Sequence, residues 1–244
     1  MEGYGGYGIS LGPDYELPYA AWYQEGGARA VAHLRGGGEF GEAWHKAGML
    51  TRKQNVFDDF IACAEHLVRR GYVRSGRLAV IGGSNGGLTV GALLTQRPEL
   101  AAAVLGVVGV FDALRSEVEA NGEFNIPEFG SVKDPEQFEA LRAYSPYHRV
   151  QPGTPYPAVL LTTGENDHRV NPFHSRKMIA RLQASSTSRL PLLLRAYRSF
   201  GHGPQAVDDV TATLADQYTF LLEVLARGER ESASAHRKRR RSRP

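Results

Sequence analysis

The sequence predicts an α/β fold, built on a mainly parallel, doubly wound sheet with helices on both faces. Three observations predict it. Short apolar stretches alternate with longer stretches of helical spacing. One of them, residues 101–110, is apolar throughout, as a strand buried on both faces must be. Between Arg77 and Gln96 a short apolar run passes through a glycine-rich turn straight into a helical pattern, which is half of a βαβ unit.

Residues 1–13 are rich in Gly and Tyr, which no helix or regular strand favours. They read as a loop whose backbone approaches something closely. Residues 18–24 predict a short helix, and residues 28–34 alternate as a strand does. A second glycine loop, Arg35-Gly-Gly-Gly-Glu-Phe-Gly41, follows. From Asn55 to Arg70 the spacing of Val56, Phe60, Ala64, Leu67 and Val68 predicts a helix, with Gly71 as its stop. A strand over 77–82 leads into the turn, and the next helix closes at Arg97-Pro98. Residues 112–150 are mostly polar and hold Pro127, Pro135 and Pro146, so they predict helices and loops that cap the sheet edge. Strands are then expected at 157–163 and 190–196. Between them lies a helix over 174–184 with Met178, Ile179 and Leu182 inward, and a last helix spans 207–226.

The turn carries the first chemical signal. Gly82, Ser84 and Gly86 fit G-x-S-x-G, the nucleophile elbow of serine hydrolases on an α/β sheet. A serine hydroxyl is a weak nucleophile, so it must project from a tight turn where a base can take its proton. At a helix start the free N–H groups also favour the oxyanion formed on attack. In such enzymes the chain order is Ser, then an acid, then His. Here Ser84, Asp167 and His202 follow that order, each at the carboxyl end of an expected strand. Parallel sheets place their sites at that edge, so the three can converge despite their separation. Glu165 competes with Asp167 on the same loop, and His168 and His174 compete with His202. The glycines on either side of His202 favour it, because a catalytic imidazole needs open access. His33, His45, His66, His148 and His236 read as structural or exposed, and no metal-ligand spacing emerges.

With 244 residues and 42% hydrophobic content, the chain can bury one sizeable core. We expect one domain over 1–228 and a basic, disordered tail over 229–244. Residues 237–244 hold six of the 29 Lys and Arg residues, so the body is mildly acidic although the formal net charge is +3. Nucleic-acid binding is therefore not expected. Nor is a membrane partner, since no run is apolar and long enough to span a bilayer and no N-terminal stretch has the pattern of a signal peptide. The single cysteine, Cys63, forms no internal disulfide, and a cytoplasmic location is expected.

Together these stretches resemble the catalytic domain of the prolyl oligopeptidase family of serine peptidases. The matching segments are Tyr4-Gly-Gly-Tyr7, the loop 35–41 with Trp44-His-Lys46, Gln54-Asn-Val-Phe-Asp-Asp-Phe60, and Gly82-Gly-Ser-Asn-Gly-Gly87. After them come Tyr144-Ser-Pro146, Asp167-His-Arg-Val170 and Gly201-His-Gly203. They run in family order over about residues 3 to 225. The resemblance implies an α/β-hydrolase fold, no cofactor and no metal, and short peptides as substrates. Ser84, Asp167 and His202 match the triad. Tyr4 and the backbone N–H of Asn85 match the two donors of the oxyanion hole. Arg169 matches an arginine that binds a substrate carbonyl, and Tyr7 and Val170 match positions lining the substrate pockets.

Two departures shape the expectation. The family's tryptophan, on which a substrate proline stacks, corresponds to Asn125, and a nearby family tyrosine is Phe129. An amide lacks the apolar face that proline favours, so strict cleavage after proline is not expected. Family members also carry a β-propeller and further strands ahead of the Tyr-Gly-Gly loop. The fold expected is therefore N-terminally truncated, with Tyr4 on a frayed terminus and a propeller as a missing partner domain. The function expected is a serine-type oligopeptidase working through an acyl-enzyme on Ser84. A general acyl hydrolase and a catalytically silent fragment are the alternatives.

Overall fold

The structure is a computed structural model and describes residues 1–12, 18–74 and 76–241, with side chains described as far as residue 226. The last helix, expected over 207–226, has its backbone continued to Arg241, over most of the stretch expected as a tail at 229–244; residues 242–244 lie outside the described residues. In chain order the elements begin with β1 (Glu2–Gly3), α1 (Tyr19–Gln24), β2 (Val31–Ala32), α2 (Glu42–Lys46), α3 (Gln54–Arg69), β3 (Ala79–Gly83) and α4 (Asn85–Gln96). They continue with β4 (Ala103–Val107), α5 (Ile126–Phe129), α6 (Pro135–Tyr144), α7 (Pro146–Arg149), β5 (Ala158–Gly164), α8 (Phe173–Ser185), β6 (Leu192–Tyr197) and α9 (Val207–Arg241).

Among the described residues the strands form one six-stranded sheet in the order β2-β1-β3-β4-β5-β6, and every pairing is parallel. Alternation along the strands sorts the side chains into two cores. Val80, Val104, Val159 and Leu161 face α3, α4 and α8, where Phe57, Phe60, Leu88, Leu93, Met178 and Leu182 are buried. Ala103, Leu105, Ala158 and Leu160 face the other way, against Phe220, Leu221 and Val224 of α9. This is the doubly wound sheet that the apolar run at 101–110 predicts.

Several expectations are corrected. The loop 1–13 begins with a strand, β1, which lies between β2 and β3. The Met1 amino group donates to the Ala79 carbonyl at 2.6 Å, and the Ile81 N–H donates to the Met1 carbonyl at 3.0 Å. Tyr4 therefore follows a strand held on both sides and is not frayed. The strand expected at 28–34 shrinks to Val31–Ala32, because its partner β1 offers only two residues. The run at 101–110 pairs only as far as Val107. Val108 then takes φ 45°, which no strand continues, and Val110 N–H turns to the Ser84 carbonyl at 3.2 Å. Residues 112–150 do not cap a sheet edge, since the edges are β2 and β6. Instead α7 packs on α4, and α5 and α6 pack on the turn at Leu50–Arg52.

Candidate active site

Ser84 sits between β3 and α4 with φ 55° and ψ −119°. This region is open to few residues other than glycine, and a non-glycine residue there stores roughly 1–3 kcal/mol of strain. Three main-chain bonds hold the turn. Ser84 N–H donates to the Val107 carbonyl at 2.9 Å, and the Ser84 carbonyl accepts from Gly87 and Val110 at 3.0 and 3.2 Å. Gly82 is required by space, because a β-carbon there would stand 2.1 Å from the Gly86 carbonyl oxygen. The helix α4 starts at the next residue, so the Asn85 N–H is one of its unpaired first-turn donors.

Tyr4 arrives from the end of β1. Its carbonyl accepts from Asn85 Nδ2 at 2.7 Å and from Thr89 Oγ1 at 2.9 Å, which fastens the loop to the first turns of α4. Burial raises the pKa of the Tyr4 phenol, while a hydrogen bond to Ser84 and the charge of Arg169 act against that rise. The phenol therefore stays protonated over a wide pH range and keeps an O–H to donate beside Ser84.

Asp167 and His202 come from the loops after β5 and β6. These loops are zipped together by Glu165 N–H to the Tyr197 carbonyl at 2.8 Å and Asn166 Nδ2 to the Arg198 carbonyl at 3.0 Å. Gly164 permits the approach, since a β-carbon there would meet the Gly201 carbonyl at 2.0 Å. Asp167 is 3% exposed. Its Oδ2 accepts from His202 Nδ1 at 2.8 Å, and its Oδ1 accepts from the N–H groups of Arg169 and Val170, both at 2.9 Å. Burial alone would raise the carboxyl pKa, but the bonds from His202, Val170 and Arg169 outweigh it and hold the pKa below the usual aspartate value. Asp167 is therefore ionised at neutral pH, and Nδ1 of His202 carries the hydrogen, which leaves Nε2 free to accept one.

The competing residues are placed differently. Glu165 and His168 point to solvent, and Glu165 pairs with Arg176 at 3.3 Å. His174 is fully buried. Its Nδ1 accepts from the N–H groups of Phe111 and Asp112 at 3.3 and 3.0 Å, and its Nε2 donates to Glu119. Arg169 is exposed, and among the described residues it forms no ion pair, although its charge reaches Tyr4 and Tyr7. Tyr7, Asn125 and Phe129 come together: the Tyr7 hydroxyl donates to Asn125 Oδ1 at 2.7 Å, and its ring meets Phe129 edge-on at 5.7 Å. Val170 is buried beside the Asp167 loop. A separate cleft of about 520 Å³ lies along β2 and α3, lined by Val31, His33, Trp44 and Cys63 among others, and holds none of these residues.

The prolyl oligopeptidase family matches residues 14–228. The chain belongs to this family. Among its relatives is the prolyl endopeptidase of Elizabethkingia meningoseptica, 43% identical over 224 residues, a match that covers 91% of this chain and 32% of the relative. A structure from a mechanistic analysis of two prolyl endopeptidases is 46% identical with a TM-score of 0.88, covering 92% of this chain and 33% of its own. Structures of prolyl oligopeptidase B from Galerina marginata, 36% to 38% identical, give TM-scores of 0.87 and 0.88 over 92% of this chain and 32% of theirs. They were solved with peptide substrates and with a single serine, aspartate or histidine replaced by alanine. The chain spans about a third of the length of these relatives.

Two groups in the site escape sequence reasoning. Lys53 is fully buried and donates to the Gly5 carbonyl at 3.1 Å and to Glu128 Oε1 at 2.6 Å. Glu119 joins His174 and also accepts from Asn171 N–H at 2.7 Å, which ties the 113–125 segment to the Asp167 loop. Glu119 and Glu128 lie in a polar stretch with no periodicity to show which carboxylate turns inward. Lys53 borders a recognised segment, yet a lysine at a helix start ordinarily faces water.

Proposed function

We propose that this chain is the catalytic region of a serine-type oligopeptidase, hydrolysing peptide bonds of short peptides through an acyl-enzyme on Ser84. The observation that carries the reading is the His202–Asp167 hydrogen bond of 2.8 Å, made at the same sheet edge as the strained turn that carries Ser84. His202 Nε2 takes the proton of the Ser84 hydroxyl as its oxygen attacks the peptide carbonyl. Asp167 holds the tautomer and stabilises the imidazolium. The Tyr4 hydroxyl and the Asn85 N–H receive the developing oxyanion. The imidazolium then gives its proton to the leaving amine, and a water activated by the same imidazole releases the acyl group. Arg169 orients a substrate carbonyl, and Tyr7, Asn125, Phe129 and Val170 border the side chain before the scissile bond. The order of the replaced serine, aspartate and histidine along the Galerina enzyme supports the same order here.

Strict preference for proline is not part of the proposal. Asn125 binds the Tyr7 hydroxyl through its amide oxygen and the Ser116 carbonyl through its amide nitrogen at 3.2 Å, so this wall is polar. Phe124, the nearest aromatic side chain in sequence, is 77% exposed. The length of the relatives is consistent with a further domain in the parent protein, which we propose is the expected propeller.

Labelling of the purified chain by a fluorophosphonate, with circular dichroism alongside, tests the reading. Labelling of the folded chain that is abolished in Ser84→Ala is the expected result. Equal labelling of that variant removes the nucleophile assignment, and a folded but unlabelled wild-type chain assigns the activity to the longer parent alone.

A further inference from the structure

The loop that carries Tyr4 is held from behind by a buried charge network. Lys53 is 0% exposed and Glu128 is 2% exposed, a burial that charged groups tolerate only when paired. Lys53 Nζ divides its hydrogen bonds between Glu128 Oε1 and the carbonyl of Gly5, the residue next to Tyr4. Glu128 Oε2 accepts from His45 Nε2 at 2.9 Å. The ammonium also lies 5.2 Å from the centre of the Phe129 ring, against which Tyr7 packs. The network thus joins three separate stretches of chain, at 4–8, 45–53 and 125–129. An apolar pair would fill the same volume without desolvating two charges, but it could not bind the Gly5 carbonyl.

We infer that Lys53 and Glu128 are positioning residues for the Tyr4 hydroxyl: the ammonium fixes the Gly5 carbonyl, and Glu128 fixes the ammonium. The Tyr4 carbonyl is clamped by Asn85 and Thr89 and the Gly5 carbonyl by Lys53, so the two peptides that follow the Tyr4 side chain are both held. The inference rests on the reading of Tyr4 as an oxyanion donor.

The test compares wild type, Tyr4→Phe, Lys53→Met with Glu128→Leu, and the triple variant as full chains. Lys53→Met alone strands a buried carboxylate and unfolds the chain too readily to be informative, whereas the paired change removes both charges. The rate constant kinact and the constant KI for a fluorophosphonate are measured separately. Loss of one oxyanion donor slows reaction by about 100-fold in a comparable enzyme, so Tyr4→Phe is expected to lower kinact on that order with KI unchanged. The paired variant is expected to lower kinact by at least about tenfold, and to add less than about twofold once Tyr4 is Phe, the signature of residues acting as one unit. Hydrogen exchange at residues 4–8 is expected to rise in the paired variant, a readout independent of reaction.

Unchanged kinact in a folded paired variant overturns the inference. So does the same fold-loss with Phe at position 4, unchanged exchange at residues 4–8, or failure of the paired variant to fold, which makes the pair a requirement of the fold alone. If Tyr4→Phe reacts as wild type while Ser84→Ala is silent, the oxyanion reading fails and the inference falls with it. If the wild-type chain itself does not react, the proposed function of this chain fails and the inference falls with it, whatever hydrogen exchange shows.

Discussion

Ser84 and Asp167 show opposite uses of local constraint. At Ser84 the backbone is forced into a sparsely populated region, and Gly82 makes the room. Gly82→Ala is expected to destabilise the chain by about 1–3 kcal/mol, the range for overpacking a tight site, and to abolish phosphonate labelling because the turn must open. Urea unfolding and labelling read the two effects separately. At Asp167 three donors converge on one buried carboxylate. Asp167→Asn is expected to keep the circular dichroism of the parent and to lower turnover by about 10⁴-fold, as loss of the correct histidine tautomer does in a comparable triad. A variant within tenfold of wild type would remove Asp167 from the proposed mechanism. The same carboxylate predicts a pH dependence of stability. Its folded pKa lies below the ordinary 3.8, so its contribution is full above about pH 4 and is lost as pH falls through the lowered value. Urea midpoints at pH 7 and pH 3 are expected to differ less in Asp167→Asn than in wild type.

At the scale of elements, what matters is how the excursion over 112–150 is tied to the sheet. His174, at the start of α8, accepts from the main-chain N–H groups of Phe111 and Asp112, just after β4, and donates to Glu119. One buried imidazole thus joins α8, the segment after β4 and the excursion. His174→Ala leaves two N–H groups and a carboxylate without their partner. It is expected to cost at least about 3 kcal/mol, since three polar groups are stranded at about 1–3 kcal/mol each. The shift in urea midpoint measures it, and a cost under about 1 kcal/mol would mean that water replaces the ring. The elements themselves were largely legible in the sequence. Helices α3, α4 and α8 lie within one residue of their expected spans, because their apolar spacing is set by the sheet they cover. Strands β1, β2 and β4 differ from expectation, because the length of a strand depends on its neighbour and not on its own residues.

For the whole molecule, two cores on opposite faces of one sheet supply the rigidity on which the site depends. Phe60 is fully buried in the larger core, and Phe60→Ala is expected to cost about 3–5 kcal/mol in chemical denaturation. The larger core also carries the β3-turn-α4 unit, so labelling by a fluorophosphonate is expected to fall in step with the folded fraction. Among the described residues, β2 and β6 are the edge strands of the sheet. Edge strands are templates for pairing with other chains, so self-association is expected to rise with concentration, as light scattering would show.

The sequence by itself determined the α/β class, the elbow at Ser84 and the order of Ser84, Asp167 and His202, because these depend on local periodicity, glycine placement and spacing. It left Glu165, His168 and His174 as rivals, since residues within one loop or one turn share the same local signal. Only the tertiary structure separates them in space, by turning His174 into the core and pairing His202 with Asp167 where the β5 and β6 loops close on each other. It alone placed β1 inside the sheet and buried Lys53 against Glu128, residues 75 positions apart. Pairings at that separation leave no mark on the residues nearby: what fixes them is the packing of elements that are each defined before they meet.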